Sequence, residues 1–188
     1  AIAAGRRRGT SWPVMLLLAI PCAVTVLPGY VTVVRSHALT YVFFAVTLLC
    51  LEELRREAKW PAFVIVPVML VWANVHGGFV AGLIAIAVYA VATRSRVVLL
   101  TLLAALAVTL VNPYGLRYWS YLVPAWLHPR ADIREWGRMP VWGFDPYFGF
   151  RILFVVVIVT ALRGRGHVSG AGWVMLGLTC VGGWLHRR

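Results

Sequence analysis

Long apolar runs alternate with short basic clusters along this chain. The apolar runs cover approximately residues 12–34, 38–54, 61–92, 97–111, 150–162 and 168–185. The basic clusters lie before or between these runs, at 6–8, 55–59, 94–96 and 163–165. Apolar runs of this kind are typical of transmembrane helices, and basic clusters beside them indicate the cytoplasmic side. The pattern predicts an all-α, polytopic transmembrane helical bundle with all four clusters in the cytoplasm.

The run at 61–92 does not fit a single span. A helix of 32 residues would be about 48 Å long, whereas the hydrocarbon core is about 30 Å thick. We therefore predict a re-entrant hairpin or a pair of short spans, 61–75 and 78–92, whose tip is WANVHGG (72–78). Gly77 and Gly78 would permit a tight turn, and Asn74 and His76 would satisfy backbone groups at the break.

Composition supports this class. Hydrophobic residues make up 61% of the chain and charged residues 13%, against about a quarter charged in soluble domains. The net charge of +12 comes from clusters between apolar runs and not from one basic face, so we expect membrane lipid and no nucleic acid as a partner. The chain begins with Ala, and we interpret it as an internal fragment that forms a single domain, 1–188.

The predicted topology gathers most of the remaining polar residues on the outer side. A long outer segment, 112–149, starts with the turn signal NPYG (112–115). Leu116, Trp119, Leu122, Val123 and Trp126 recur at three- and four-residue steps, which predicts an interfacial amphipathic helix near 116–127. On the cytoplasmic side, Glu52, Glu53 and Glu57 alternate with basic residues as in a solvated helix end.

Each polar group on the outer side has a structural and a functional interpretation. Arg35 and His37 either cap a helix junction or bind phosphate. Asn74 and His76 either stabilise the turn or contact a ligand. Asp132 and Glu135 either form a surface ion cluster with nearby arginines or supply a base or a cation-binding carboxylate.

These motifs together resemble a group of bacterial polytopic proteins, the GT-C-class glycosyltransferases and their relatives. The resemblance covers about 100 residues and rests on four motifs: R-x-H at 35–37, WxNxHGGF at 72–79, NPYGxR at 112–117 and EW at 135–136. The family's usual acidic motif follows its first span, but the first outer stretch here, VRSHA (34–38), contains no acid. Either that motif lies upstream of residue 1 or the catalysis is absent.

The resemblance implies transfer of a sugar from a polyprenyl-phosphate donor on the outer face of the bacterial plasma membrane. It implies catalytic roles for Glu135 and Asp132. It also implies a set of substrate-binding residues, namely Arg35, His37, Asn74, His76, Asn112, Tyr114 and Arg117. A divalent metal, Mg or Mn, assists some members of the family, and we assign no metal ligands here. Two alternatives stay open: a transporter or channel with a re-entrant hairpin, which predicts carboxylates within the spans, and a non-catalytic accessory protein.

Overall fold

The computed structural model describes residues 11, 13, 37–127 and 148–185 of the chain. The described residues contain seven α-helices and no strand, so the prediction of an all-α fold is confirmed for this part of the chain. We number the helices α1 His37–Arg55, α2 Pro61–Val75, α3 Phe79–Thr93, α4 Arg96–Val108, α5 Leu116–Leu127, α6 Phe148–Arg163 and α7 Gly170–Leu185. A 3-10 turn, Arg165–His167, lies between α6 and α7. Contacts divide the chain into two units, residues 35–130 and residues 1–34 with 131–188.

The first four helices of the 35–130 unit pack as a four-sided bundle. Contacts are extensive between α1 and α2, α2 and α4, α4 and α3, and α3 and α1, and they are sparse between α2 and α3 and between α1 and α4. The helices α2 and α3, which are neighbours in sequence, therefore lie diagonally across the bundle. Residues 61–92 thus form two helices that meet at 76–78, and each arm packs mainly on α1 and α4.

Trp72 fills the centre of this bundle. Its side chain is fully buried and its ring centroid lies 5.9 Å from that of Phe43 and 6.4 Å from that of Phe44, both on α1. Across the diagonal, α3 presents Gly82 to the indole: a Cβ there would lie 2.5 Å from Trp72 Cζ3. The remaining buried core comes from all four helices and includes Leu51, Ile65, Met69, Ile86, Val98 and Ala105.

Pairs of acidic and basic side chains form at the end of α1, as the sequence predicts. The Arg55 guanidinium donates to both Glu52 carboxylate oxygens, at 3.1 and 2.7 Å, and the Glu52 partner raises the pKa of Arg55. Arg56 Nη1 lies 3.7 Å from Glu53 Oε1. Glu57 then adopts a φ of 70° and ends the helix, with its N–H bonded to the carbonyl of Leu54.

None of the described helices combines the length and the apolar character needed to cross a bilayer. The helices α2 and α3 have 15 residues each and are about 22 Å long against a hydrocarbon core of about 30 Å. The longer α1 has 19 residues, but its last turns carry charged side chains. The prediction that these helices are transmembrane spans is therefore corrected for the described residues. The run at 12–34 lies almost wholly outside the described residues.

The second unit is described by α6, the 3-10 turn and α7. The turn ends α6 with a bond from the Gly164 N–H to the Thr160 carbonyl, 2.9 Å. Ser169 then starts α7, because its hydroxyl accepts a hydrogen bond from the Gly172 N–H at 3.1 Å.

The contact between Gly82 and Trp72 yields a stability prediction. A methyl group at Gly82 would lie 2.5 Å from Trp72 Cζ3 and 3.0 Å from Met69 Sδ, and both neighbours are fully buried. We expect Gly82→Ala to lower the free energy of unfolding by about 1–3 kcal/mol. The matched control is Gly177→Ala in α7, where a Cβ meets nothing within 4 Å. Chemical denaturation followed by far-UV circular dichroism compares the two, and equal stability of both variants would contradict this packing.

Candidate functional site

The break between α2 and α3 is formed by residues 76–78, which we call the His76 turn. His76 is extended, with φ −158° and ψ 139°, and its N–H still bonds to the Trp72 carbonyl at 2.9 Å. Gly78 has φ −62°, and Gly115 is the one described glycine with positive φ. The glycine pair is therefore not needed for a left-handed conformation.

Gly78 is needed for space. A Cβ at this position would lie 2.7 Å from Thr40 Cγ2 and 2.8 Å from both Thr40 Oγ1 and His76 Nδ1. Contacts under 3.0 Å are not found for real Cβ atoms, so any side chain would push the turn away from α1. The absence of a side chain at Gly78 lets Thr40 and His76 meet.

A chain of hydrogen bonds runs from the core to His76. The indole N–H of Trp72 donates to Thr40 Oγ1 at 3.2 Å, and Thr40 Oγ1 lies 2.8 Å from His76 Nδ1. The backbone N–H of Gly78 donates to the same Nδ1 at 2.9 Å. Because a backbone N–H can only donate, Nδ1 must accept, so the Thr40 hydroxyl also donates to it and the ring proton lies on Nε2.

Asn74 ties the end of α2 to the end of α4. Its side-chain amide donates to the Leu70 carbonyl at 2.8 Å and to the Val111 carbonyl at 2.9 Å. The carbonyl of Val111 follows α4 and has no further turn of helix to bond. Asn74 therefore satisfies a freed backbone group, but this group lies in the turn after α4 and not at the break between α2 and α3.

The NPYG turn follows directly. The Gly115 N–H bonds to the Asn112 carbonyl at 3.2 Å, and Gly115 takes a φ of +52°. The Asn112 side chain accepts from the Tyr114 N–H at 2.8 Å and donates to the Thr109 carbonyl at 2.7 Å. This Asx-type turn directs the chain from α4 into α5.

Helix α5 packs on the His76 turn through aromatic rings. The Phe79 ring centroid lies 5.8 Å from that of Tyr118 and 5.4 Å from that of Trp119, the latter edge-to-face. The indole N–H of Trp119 donates to the buried Thr109 hydroxyl at 3.3 Å. A Cβ at Gly77 would lie 3.0 Å from Leu122 Cδ1 of α5. The predicted amphipathic helix is thus a helix, and one face of it packs on this turn.

Two predicted binding residues remain on the surface of this end. Tyr114 is 70% exposed with its ring 6.5 Å from that of Tyr118. Arg117 is also exposed, and its guanidinium makes no ion pair with a carboxylate of the described residues. The half-buried His76, with its proton on Nε2, belongs to the same end of the bundle.

The structure therefore places five of the predicted binding residues at one end of the 35–130 unit, namely Asn74, His76, Asn112, Tyr114 and Arg117. Of the others, Arg35 lies outside the described residues, and His37 starts α1 without a described side chain. Both predicted catalytic residues, Asp132 and Glu135, lie outside the described residues. Within the described ranges, no group of three His, Cys, Asp or Glu side chains is placed to hold a metal ion.

Sequence reasoning did not find Thr40 or Thr109, and it placed Tyr118 and Trp119 on the amphipathic helix without a role at this turn. Thr40 is separated from His76 by 36 residues, and no spacing rule connects them. The available signal was weak: Thr40 lies in the largely apolar α1 and Thr109 directly follows α4, and a hydroxyl in apolar surroundings must find a hydrogen-bond partner.

The fold and the site define an all-helical protein whose candidate site is a histidine-centred turn covered by an aromatic helix. Comparisons with protein-family models, with curated proteins and with solved structures find no match for this chain. The resemblance to GT-C-class proteins therefore stays a prediction from the motifs.

The Thr40 hydroxyl can be tested by paired substitutions. Thr40→Val keeps the shape but leaves the buried Trp72 indole N–H without its acceptor, so we expect the free energy of unfolding to fall by about 1–3 kcal/mol. Thr40→Ser retains the hydroxyl and should lose much less. Chemical denaturation measures the difference. NMR of the imidazole nitrogens tests the tautomer directly, and a proton on Nδ1 of His76 would contradict the hydrogen-bond chain.

The environment of Tyr118 predicts a stability change at alkaline pH. Burial, with a smaller contribution from Tyr121, raises the pKa of Tyr118 above its ordinary value of 10.0. The folded state therefore disfavours the phenolate, and stability present below pH 10 is lost as the pH rises through the raised pKa. We expect Tyr118→Phe to lose less stability than the wild type between neutral and strongly alkaline pH. Tyr114→Phe is the control, and identical pH profiles for all three proteins would contradict the shift.

Proposed function

We propose that the end of the bundle around the His76 turn holds the phosphate of a polyprenyl-phosphate sugar donor, in a protein that resembles the GT-C-class glycosyltransferases. The observation that carries this proposal is the hydrogen-bond chain that fixes the His76 tautomer. Because Nδ1 accepts from Gly78 and Thr40, the proton of the imidazole lies on Nε2 and the orientation of this N–H is fixed. A donor held in place before the ligand arrives is what an anion site requires.

Arg117 supplies the charge in this proposal. The guanidinium is exposed on the first turn of α5, and it can bind phosphate oxygens in pairs. Tyr114 lies three residues before it and is exposed, so its hydroxyl is a further donor at the same surface. A neutral N–H, a cation and a phenol suit a phosphate group that carries a sugar.

The surface around this end suits the lipid part of such a donor. Large apolar side chains there are solvent-exposed, from three helices and the connection before α5: Val42, Val71, Val111, Leu116 and Tyr121. Contiguous exposed apolar surface marks binding sites for apolar partners. The donor is a membrane lipid, so the protein would meet it at the surface of the bacterial plasma membrane; the proposal requires no helix that crosses the bilayer.

In the proposed reaction, the phosphate-binding residues and the catalytic carboxylates come from two different parts of the chain. An acceptor hydroxyl attacks the anomeric carbon of the sugar, the bond from that carbon to the phosphate oxygen breaks, and polyprenyl phosphate leaves with the electron pair. His76 and Arg117 stabilise the charge that grows on the leaving phosphate. A carboxylate takes the proton of the acceptor, and the candidates for this role are Glu135 and Asp132.

The described residues do not support the alternative that the protein is a transporter. It predicts a carboxylate partner for His76 at the same depth. The three described carboxylates, Glu52, Glu53 and Glu57, lie near or just beyond the far end of α1. Twelve residues of helix separate Thr40 from Glu52, which corresponds to about 18 Å.

Paired substitutions of His76 test the proposed donor site. His76→Asn can keep an acceptor for the Gly78 N–H because its Oδ1 replaces Nδ1, but it removes the Nε2–H. We expect His76→Asn and Arg117→Gln each to weaken the binding of undecaprenyl phosphate in neutral detergent about tenfold or more. Native mass spectrometry of the full chain measures the bound fraction.

The control for charge is Arg163→Gln, which removes one exposed cation in the other unit. Thermal melting of His76→Asn verifies that the fold is retained. Equal binding of undecaprenyl phosphate by the wild type, His76→Asn and Arg117→Gln would overturn the assignment of the phosphate site.

A further inference from the structure

A second candidate site lies at the turn between α3 and α4. The two helices leave a groove of about 240 Å³ at this turn. It is lined by apolar side chains of both helices, Ala87, Ala90, Val91, Leu99 and Leu102, and its mouth is formed by Arg94, Ser95 and Arg96. Drug-sized ligands occupy about 300–1,000 Å³, so this groove fits a head group and a short chain segment and not a whole large ligand.

Small residues of α3 create the groove. Ala87 and Ala90 stand opposite Leu99 and Leu102 of α4, and their short side chains do not fill the space between the helices. The resulting floor is apolar along its whole length. An apolar ligand segment placed there would lose contact with water at little cost, because no polar side chain lines the floor.

The mouth of the groove carries uncompensated positive charge. Arg94 and Arg96 are both exposed, and neither makes an ion pair with the described carboxylates. Glu52 and Glu53 are paired with Arg55 and Arg56. An anion with several oxygens would be complementary to this pair of cations, because two guanidinium groups can bind it through paired hydrogen bonds.

We propose that this groove binds an alkyl phosphate: the phosphate between Arg94 and Arg96, and the first methylene groups along Ala87 and Ala90. The occupant is the phosphate head of a lipid and not inorganic phosphate, because the floor offers only apolar contacts. This site is separate from the His76 turn, which lies at the other end of α3, about 22 Å along the helix. It does not depend on the proposed sugar-donor function.

Two substitutions remove the charges without unfolding the turn. Arg94 ends α3 in the left-handed conformation, with φ 52°, and glycine adopts this conformation more readily. Arg94→Gly should therefore keep or raise stability while it removes one guanidinium. Arg96→Gln removes the second from an exposed position. Ala90→Leu leaves the charge unchanged and fills the floor.

The experiment titrates the full chain with dodecyl phosphate below its micelle concentration, in dodecyl maltoside, and follows binding by calorimetry. We expect binding by the wild type, a loss of about tenfold or more in affinity for Arg94→Gly/Arg96→Gln and a comparable loss for Ala90→Leu. Inorganic phosphate should bind far more weakly than dodecyl phosphate. The matched control, Arg163→Gln/Arg165→Gln, removes the same charge from the turn after α6 and should bind as the wild type does.

Four outcomes would overturn the proposal. Wild-type affinity in Arg94→Gly/Arg96→Gln excludes the arginine pair as the head-group site. Wild-type affinity in Ala90→Leu, or equal affinity for inorganic and dodecyl phosphate, excludes the groove as the chain site. His76→Asn separates the two proposals, since it should leave dodecyl phosphate binding at this groove unchanged; a loss there would place the ligand at the His76 turn instead.

Discussion

The buried indole N–H of Trp72 is the constraint on which the bundle depends. A ring of this size at the centre of four helices brings a polar group into the core, and an unpaired buried donor is costly. Thr40 accepts this hydrogen bond at 3.2 Å, and its own hydroxyl donates a hydrogen bond to His76 Nδ1. Three features follow from this one requirement: the extended backbone at residue 76, the absence of a side chain at residue 78, and the position of α1 against the turn.

The same ring explains why α2 and α3 lie diagonally. Two helices joined by three residues would ordinarily pack side by side, yet here their direct contacts are sparse. Trp72 occupies the space between them, and Gly82 is the position at which α3 can approach the ring. Phe43 and Phe44 close the other side from α1. The helices therefore pack in pairs along the four sides of the bundle, and the indole occupies the space that they enclose.

Hydrophobic pattern was sufficient for the helical class and for local turns, but not for the arrangement in space. The apolar runs predicted an all-α fold, and the NPYG signal and the Glu52–Arg55 spacing predicted the local structures that form. The prediction of membrane spans was wrong because the helices are short: α2 and α3 have 15 residues each, and α4 has 13 because it ends at Val108. The helices α2 and α3 are apolar on all sides, so their sequences carry little information on which face meets which neighbour. No local rule could pair Thr40 with His76, and the roles of Arg35, Asp132 and Glu135 are untouched by the described residues.

The two proposed sites, at opposite ends of α3, would recognise an anion in different ways. At the His76 turn, hydrogen bonds from the core fix a neutral donor, and a single guanidinium on α5 adds charge. At the α3–α4 turn, two exposed guanidinium groups act beside an apolar floor, with no buried polar network behind them. At the proposed His76 site, the contribution of the neutral Nε2–H depends on orientation and is insensitive to salt, whereas that of the exposed Arg117 is screened. At the proposed groove, both contributions come from exposed guanidinium groups, which salt screens within about 10 Å at ordinary ionic strength. If both proposals hold, binding at the groove should therefore be the more salt-sensitive of the two.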